Sequence, residues 1–153
     1  MKVPTRPRVI VSKCLGFAPC RYNGVTINDA FVQRLQPHVT FLPVCPEMEI
    51  GLGAPRDPVR IVLMEDQLRL MQPATGADLT DRMRAFADTF LDSLTGVDGF
   101  LLKTRSPSCG TKDVKVYPGD RKVGSVAKKA GFFGGAVVGR FSHLAVEDEG
   151  RSK

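Results

Sequence analysis

The sequence predicts an α/β fold: one compact domain, residues 1–153, in which a Rossmann-like, mainly parallel sheet is flanked by helices. Short apolar, β-branched runs alternate with segments of helical periodicity, which is typical of this class. The length of 153 residues and the apolar fraction of 42% are those of one globular domain. Reactive residues follow three of the predicted strands, whose carboxyl ends form the ligand crevice of an open parallel sheet.

Six short, mainly apolar runs are predicted as strands, and the first of them, Arg8–Ser12, is also rich in β-branched residues. They are Arg8–Ser12, Val39–Val44, Arg60–Met64, Gln67–Met71, Gly99–Lys103 and Val114–Tyr117. The third and fourth flank Glu65 and Asp66, which predicts a hairpin. The charged tail Glu147–Lys153 is expected to fray.

Three segments are predicted as helices, namely Asp29–Leu35, Asp78–Leu94 and Phe132–Phe141. The second has the clearest pattern, since its apolar residues recur every three or four positions and so share one face. Asp78 or Thr80 is expected to start it, and Gly96 follows its end, as helix C-termini prefer. Thr26 or Asn28 is the expected cap of the first helix.

Charge and hydropathy narrow the class of protein. No apolar run approaches the roughly 18 residues that a membrane span needs, and Val9–Val11 is too short for a signal-peptide core. We therefore predict a cytoplasmic protein without membrane contact. The net charge of +6 favours anionic partners. The basic residues are scattered and only two Tyr and no Trp are present, which argues against a dedicated nucleic-acid binder.

Four cysteines in a reducing compartment favour metal binding or catalysis over disulfides. Cys14, Cys45 and Cys109 each stand in a loop rich in Gly, Pro or Ser after a predicted strand. Three thiolates with an open coordination position make a reactive metal or cluster site, whereas four make a closed structural one. Cys20 lies beyond Pro19, away from the strand end, and is predicted not to be a ligand.

The loops around these cysteines carry further candidates. Ser106 and Ser108 offer hydroxyls for binding or proton transfer, or they merely bond to the turn backbone. Glu47, just beyond Cys45, is either a general acid or base or a surface carboxylate. A glycine-rich loop ends in Arg56, a candidate anion-binding cation.

The first loop adds Arg21 and Tyr22 as candidates for the pocket lining. Together with Arg56 and Ser108, they are the predicted substrate-binding residues. Lys103 and Arg105 would supply the positive surroundings that a thiolate at Cys109 requires. The two histidines, which stand near element ends, are expected to be structural or exposed.

Three motifs together resemble those of the thiouracil desulfidase family, many of whose members are labelled only as a domain of unknown function. They are VSKCLGFAPCRYNG, PVCPE followed by a glycine-rich loop ending in Pro-Arg, and LLKTRSPSCG. The resemblance continues through RLMQPATGADLTDRMRAFADTFL and AVEDEGR, and so covers nearly the whole chain.

The resemblance implies an α/β domain that holds a [4Fe–4S] cluster through Cys14, Cys45 and Cys109. One iron would remain open to substrate. It also implies that Glu47 and Ser106 act in proton transfer or substrate positioning. The implied activity is the non-redox, hydrolytic removal of sulfur from 2-thiouracil or a related thiolated pyrimidine, which yields uracil and hydrogen sulfide.

Two other functions remain open at this point. The first is a cluster-bearing sulfur carrier or a binding protein related to tRNA thiolation, for which the positive charge would matter. The second is a structural zinc domain closed by all four cysteines. A small thiolated pyrimidine is favoured as the partner over tRNA.

Overall fold

The computed structural model describes residues 6–119 and 127–150, which form two β-sheets and four helices. The strands are β1 (Arg8–Ser12), β2 (Thr40–Val44), β3 (Arg60–Met64), β4 (Gln67–Gln72), β5 (Ala77–Asp78), β6 (Gly99–Leu102), β7 (Val114–Pro118), β8 (Ala127–Lys129) and β9 (Ala145–Asp148). The helices are α1 (Ala30–Leu35), α2 (Pro46–Glu49), α3 (Thr80–Asp92) and α4 (Phe132–Arg140).

The first sheet confirms the predicted α/β fold with a mainly parallel sheet. Its strands lie in the order β2-β1-β6-β9, and every pair is parallel. Ile10 at its centre aligns with Leu42 on one side and Phe100 on the other. Because all four strands point the same way, the loops that follow them emerge at one edge.

Helices cover both faces of this sheet, as predicted. Val11 and Leu101 point to one face and pack with Val32 of α1. Alternate residues point to the other face, where Ile10 and Phe100 join the larger core. That core also contains the buried faces of α3 and α4, so the sheet is sandwiched between apolar layers.

A second sheet, which the sequence reasoning did not separate from the first, has the order β5-β4-β3-β7-β8. Its β3–β4 hairpin is as predicted, and both turn residues, Glu65 and Asp66, have positive φ of 51° and 63°. That geometry is typical of the tight turns that join antiparallel strands. The inner residues Ile61, Leu70 and Val116 join the larger core and pack this sheet onto the helices.

The structure corrects several predicted boundaries. Asp29, rather than Thr26 or Asn28, caps α1, since its Oδ1 accepts the N–H of Val32 at 3.0 Å. Helix α3, Thr80–Asp92, is shorter at both ends than the predicted Asp78–Leu94, and it starts later because Asp78 belongs to β5. Its Oδ1 still accepts the N–H of Thr80 at 3.0 Å, which explains why a polar residue precedes the helix.

The tail was predicted wrongly over its first residues. Ala145–Asp148 forms β9 and pairs with β6, and Glu149 is only 4% exposed. The charged residues Glu147 and Asp148 lie within β9, and the next residue, Glu149, bonds to the loop after β6. Residues 151–153 of the predicted tail lie outside the described residues. His38 and His143 are exposed, in agreement with the prediction. No helix of the described ranges is long and apolar enough to cross a membrane.

Candidate functional site

The loops after β1, β2 and β6 meet around one cavity of about 380 Å³. Cys14 follows β1, Cys45 directly follows β2, and Cys109 lies in the loop after β6. The cavity lining contains all three cysteines and also Cys20. It includes every other residue predicted for the site, namely Arg21, Tyr22, Glu47, Arg56, Ser106 and Ser108.

The cysteines are free thiols in a largely buried setting. Burial raises the pKa of Cys109 to about 12, although hydrogen bonds from Ser12 and Ser106 act against the increase. A hydrogen bond with Cys20, and then burial, raise the pKa of Cys45 well above its ordinary value. The thiols of Cys45 and Cys109 are therefore neutral without a metal, and metal binding would displace their protons.

Cys20 lines the cavity. The sequence placed it away from the strand end and for that reason predicted that it is not a ligand, so this reason is wrong. Cys20 is 2% exposed. Hydrogen bonding with Cys14 is the main cause that raises its pKa, and its thiol also bonds to Cys45. The loop after β1 folds back so that Cys20 reaches the strand end, a return that sequence spacing does not reveal.

The described part of the chain contains no group of three or more His, Cys, Asp or Glu side chains placed to hold one metal ion. A closed zinc site needs four ligands around a single ion. A four-iron cluster spaces its thiolate ligands further apart around a larger body. Within the described residues, the four cysteines are therefore not arranged as a preformed four-ligand zinc site.

Glu47 is a buried carboxylate with defined partners, not a surface group. Pro46 begins α2, a position at which proline is favoured, and the turn that follows directs Glu47 inward. Its Oε1 accepts from Nε of Arg56 at 3.0 Å and lies 2.9 Å from Nη2. Its Oε2 accepts from the hydroxyl of Ser108 at 2.9 Å.

Arg56 connects the loops that follow β1 and β2. Beyond Glu47, its Nη1 donates to the carbonyl oxygens of Cys20 at 2.7 Å and Gly53 at 2.6 Å. Its backbone N–H donates to Tyr22 at 2.6 Å. Arg56 was predicted to bind an anion, and in the structure that anion is the carboxylate of Glu47.

The two serines of the loop after β6 have different partners. The Ser106 hydroxyl accepts the backbone N–H of Ser108 at 3.2 Å and of Cys109 at 3.0 Å, so it closes the turn. Ser108 is 1% exposed and bonds to Glu47 instead. The Ser106 hydroxyl therefore closes the backbone turn, whereas the Ser108 hydroxyl links the loop after β6 to Glu47, which follows β2.

Lys103 and Glu149 form an ion pair behind the same loop. Nζ of Lys103 lies 3.2 Å from Oε2 of Glu149, whose Oε1 accepts the N–H of Thr104 at 2.5 Å. The carboxylate of Glu149 therefore neutralises the positive charge of Lys103, whereas the nearby Arg105 is exposed to solvent. The sequence reasoning missed Glu149, which lies in the motif AVEDEGR.

Residues 9–149 match the family described as 2-thiouracil desulfurase. The chain belongs to this 2-thiouracil desulfurase family. A relative from Bacillus subtilis (strain 168), the uncharacterised protein YbbK, is 30% identical over 138 residues, which cover 81% of this chain and 91% of that protein. The fold is similar to that of a [4Fe-4S]-dependent thiouracil desulfidase, TudS. The TM-score is 0.67 at 28% identity, over 95% of this chain and 93% of the other.

In this 2-thiouracil desulfurase family member, α4 fixes the third cysteine loop by direct backbone contact. The N–H groups of Phe133 and Gly134 donate to the carbonyl of Ser108 at 2.9 and 2.8 Å, and that of Gly131 to Gly110 at 2.7 Å. These helix N-terminal donors have no partners within the helix. A Cβ on Gly134 would stand 2.2 Å from the Gly110 oxygen, so only glycine allows this approach.

Gly134→Ala is therefore expected to destabilise the desulfurase fold by about 2 kcal/mol, as overpacking against backbone does, and to loosen the Cys109 loop. Gly139→Ala on the same helix is the matched control, because nothing lies within 4 Å of its Cβ position. It should be neutral or stabilising by up to about 1 kcal/mol. Urea unfolding of the two variants measures both effects, and equal stabilities would contradict the packing argument.

Proposed function

We propose that this protein is a [4Fe–4S]-dependent desulfidase that converts 2-thiouracil, or a closely related thiolated pyrimidine, to uracil and hydrogen sulfide. The observation that carries the proposal is the convergence of Cys14, Cys45 and Cys109 on one cavity beside the buried carboxylate of Glu47. Family membership and the similarity to TudS support the same reaction. Four free thiols suit the reducing cytoplasm.

The residues present fit such a cluster. Cys14, Cys45 and Cys109 would each supply one thiolate from a different loop, and sulfur ligands are those that iron–sulfur clusters use. When bound, the cluster would supply one iron without a protein ligand, a Lewis acid with affinity for the thiocarbonyl sulfur. The cavity of about 380 Å³ would hold both the cluster and the base, and its volume is at the small end of ligand pockets, which favours a small base over a larger ligand.

The protein side chains would bind the base, transfer a proton and position the cluster ligands. Tyr22 is 43% exposed with Arg21 against its ring, so this pair would cover one face of the base at the cavity mouth. Glu47 would accept a proton from the water that attacks the thiocarbonyl carbon. Ser106 would stabilise the turn that contains Cys109. Its hydrogen bond to the Cys109 thiol would also fix the position of this third cluster ligand.

The reaction balances without an electron donor. Water supplies the oxygen of the new carbonyl and two protons, and sulfur leaves as hydrogen sulfide. Carbon and sulfur keep their oxidation states, so the protein needs groups that bind, orient and move protons.

Sulfide release by the anaerobically reconstituted protein, over free thiobases, thionucleosides and thiolated tRNA, tests the proposal. We expect turnover on free 2-thiouracil or a close analogue and little on tRNA. Turnover on thiolated tRNA alone would favour the hypothesis of a tRNA-related protein. Cluster binding without turnover on any of these substrates would favour the hypothesis of a sulfur carrier.

Cys20→Ala is predicted to keep both iron content and turnover, because three thiolates suffice for the cluster with one iron left open. The proximity of Cys20 to Cys14 and Cys45 makes this a demanding test. Iron content per chain and steady-state sulfide release are the measurements. Loss of iron in this single variant would indicate a closed site with four thiolates.

A further inference from the structure

The two oxygens of the Glu47 carboxylate are held differently. Oε1 receives two bonds from the Arg56 guanidinium, at 3.0 and 2.9 Å, whereas Oε2 receives the Ser108 hydroxyl at 2.9 Å. The Arg56 and Glu47 side chains are 6% and 10% exposed, so these bonds operate with little solvent. Two charge-assisted bonds disfavour a proton on Oε1. A proton that Glu47 accepts therefore resides on Oε2, beside Ser108.

Arg56 keeps this asymmetry in place. Its Nη1 is anchored to the carbonyl oxygens of Cys20 and Gly53, so the guanidinium plane cannot turn towards Oε2. A planar guanidinium that is fixed at both ends holds a carboxylate in one orientation. Arg56 is thus a positioning residue that reserves Oε2 for proton transfer.

Ser108 is placed to pass that proton on. A hydroxyl both donates and accepts, and its hydrogen rotates freely. While Glu47 is ionised, the Ser108 hydroxyl donates to Oε2. When Oε2 carries a proton, it can donate to the Ser108 oxygen, and the Ser108 hydrogen is released towards the cavity that this residue lines.

We propose that Ser108 relays a proton between Glu47 and the substrate, with Arg56 fixing the direction of transfer. This inference rests on the proposed function. An O–H bond of the attacking water breaks and an Oε2–H bond forms. Then Ser108 gives its hydrogen to the departing sulfur and receives the Oε2 proton. The water oxygen forms the new C–O bond and the C–S bond breaks, so that sulfur leaves as hydrosulfide with this first proton. The second proton of the water, left on the new carbonyl oxygen, reaches the hydrosulfide by the same route and completes hydrogen sulfide. Both side chains return to their starting states, and no electrons are transferred.

Ser108→Ala, Ser108→Thr and the exposed control Ser142→Ala are compared after reconstitution, with iron content measured first. We expect Ser108→Ala to keep its iron and lose about 10- to 100-fold in kcat, as for a positioned proton-transfer group. Its KM should change by less than about threefold, since the hydroxyl acts in the reaction and not in uniform binding. Ser108→Thr retains the hydroxyl and should recover most of the turnover, and Ser142→Ala should equal wild type.

A solvent isotope experiment separates a relay from a structural role. In mixtures of H₂O and D₂O, wild-type kcat should depend on the deuterium fraction with curvature, because more than one proton moves, whereas Ser108→Ala should give a straight line. Should Ser108→Ala not take up iron, Ser108→Gly replaces it in the same comparison. A variant without the hydroxyl that stays within about threefold of wild-type kcat, or that keeps the curved dependence, overturns the relay.

Failure of the proposed function gives a different result. Wild-type protein that holds iron but releases no sulfide from any thiolated base overturns the desulfidase proposal and the relay with it. If wild-type protein turns over and Ser108→Ala has an unchanged kcat, the relay is overturned and the desulfidase proposal stands.

Discussion

Replacement of Cys14, Cys45 or Cys109 by Ala is expected to abolish both the cluster and sulfide release. Each residue stands in a different loop, so no second cysteine on the same loop can replace Cys45 or Cys109, and only Cys14 shares its loop with another cysteine, Cys20. A cluster held by two thiolates loses iron, and with it the Lewis acid on which the reaction depends. Iron and acid-labile sulfide per chain, together with the visible spectrum, measure the loss.

Cys20→Ala is the matched control, since it removes a buried thiol from the same cavity. It should remain brown while the three ligand variants are colourless. The assignment is wrong if any one of the three ligand variants retains a full four-iron cluster. It would also be contradicted if an experimental structure held the cluster through Cys20 in place of one of them.

Glu47→Ala is the second variant with a large expected effect, a loss of roughly 100-fold in kcat with the cluster retained. The carboxylate is not a sulfur ligand, yet it is buried beside Cys45 and bonds to Arg56 and Ser108. Truncation also leaves the Arg56 charge buried without its partner, which is strongly destabilising. Glu47→Gln preserves the shape and so separates lost proton transfer from lost stability.

Ser106→Ala is expected to retain the cluster but lose turnover to a similar degree, about 100-fold, because the turn that positions Cys109 loses its closing acceptor. Glu49→Ala on the exposed side of α2 is the control for both variants. Sulfide release is normalised to iron content in every case. Near wild-type rates in Glu47→Gln and Ser106→Ala would show that neither side chain takes part.

The fold class followed from the sequence because its strongest signals are local. Arg8–Ser12 and Gly99–Leu102 are apolar runs too short for helices and typical of inner strands, and parallel strands require helices on both faces. The second sheet could not be assigned, since an apolar run such as Arg60–Met64 does not specify its partner strands. The tail was misread because the charges of Glu147 and Glu149 outweighed its strand pattern.

The location of the site was equally predictable, since the loops after parallel strands share one edge of the sheet. Its internal bonding was not. The roles of Ser106 and Ser108 depend on which hydroxyl reaches Glu47, and that is decided by the packing of α4 on their loop. The position of Cys20 depends on a loop that folds back, and spacing along the chain carries no such information.

The dependence of turnover on cluster content is the decisive measurement of whether the cluster carries the reaction. Protein reconstituted anaerobically to graded iron loads is supplied with 2-thiouracil, and uracil and sulfide are both quantified. We expect equal amounts of the two products, a rate proportional to cluster content up to about four iron atoms per chain, and no turnover by iron-free protein. Uracil formation by iron-free protein, or fully loaded protein that yields neither product, would contradict this expectation.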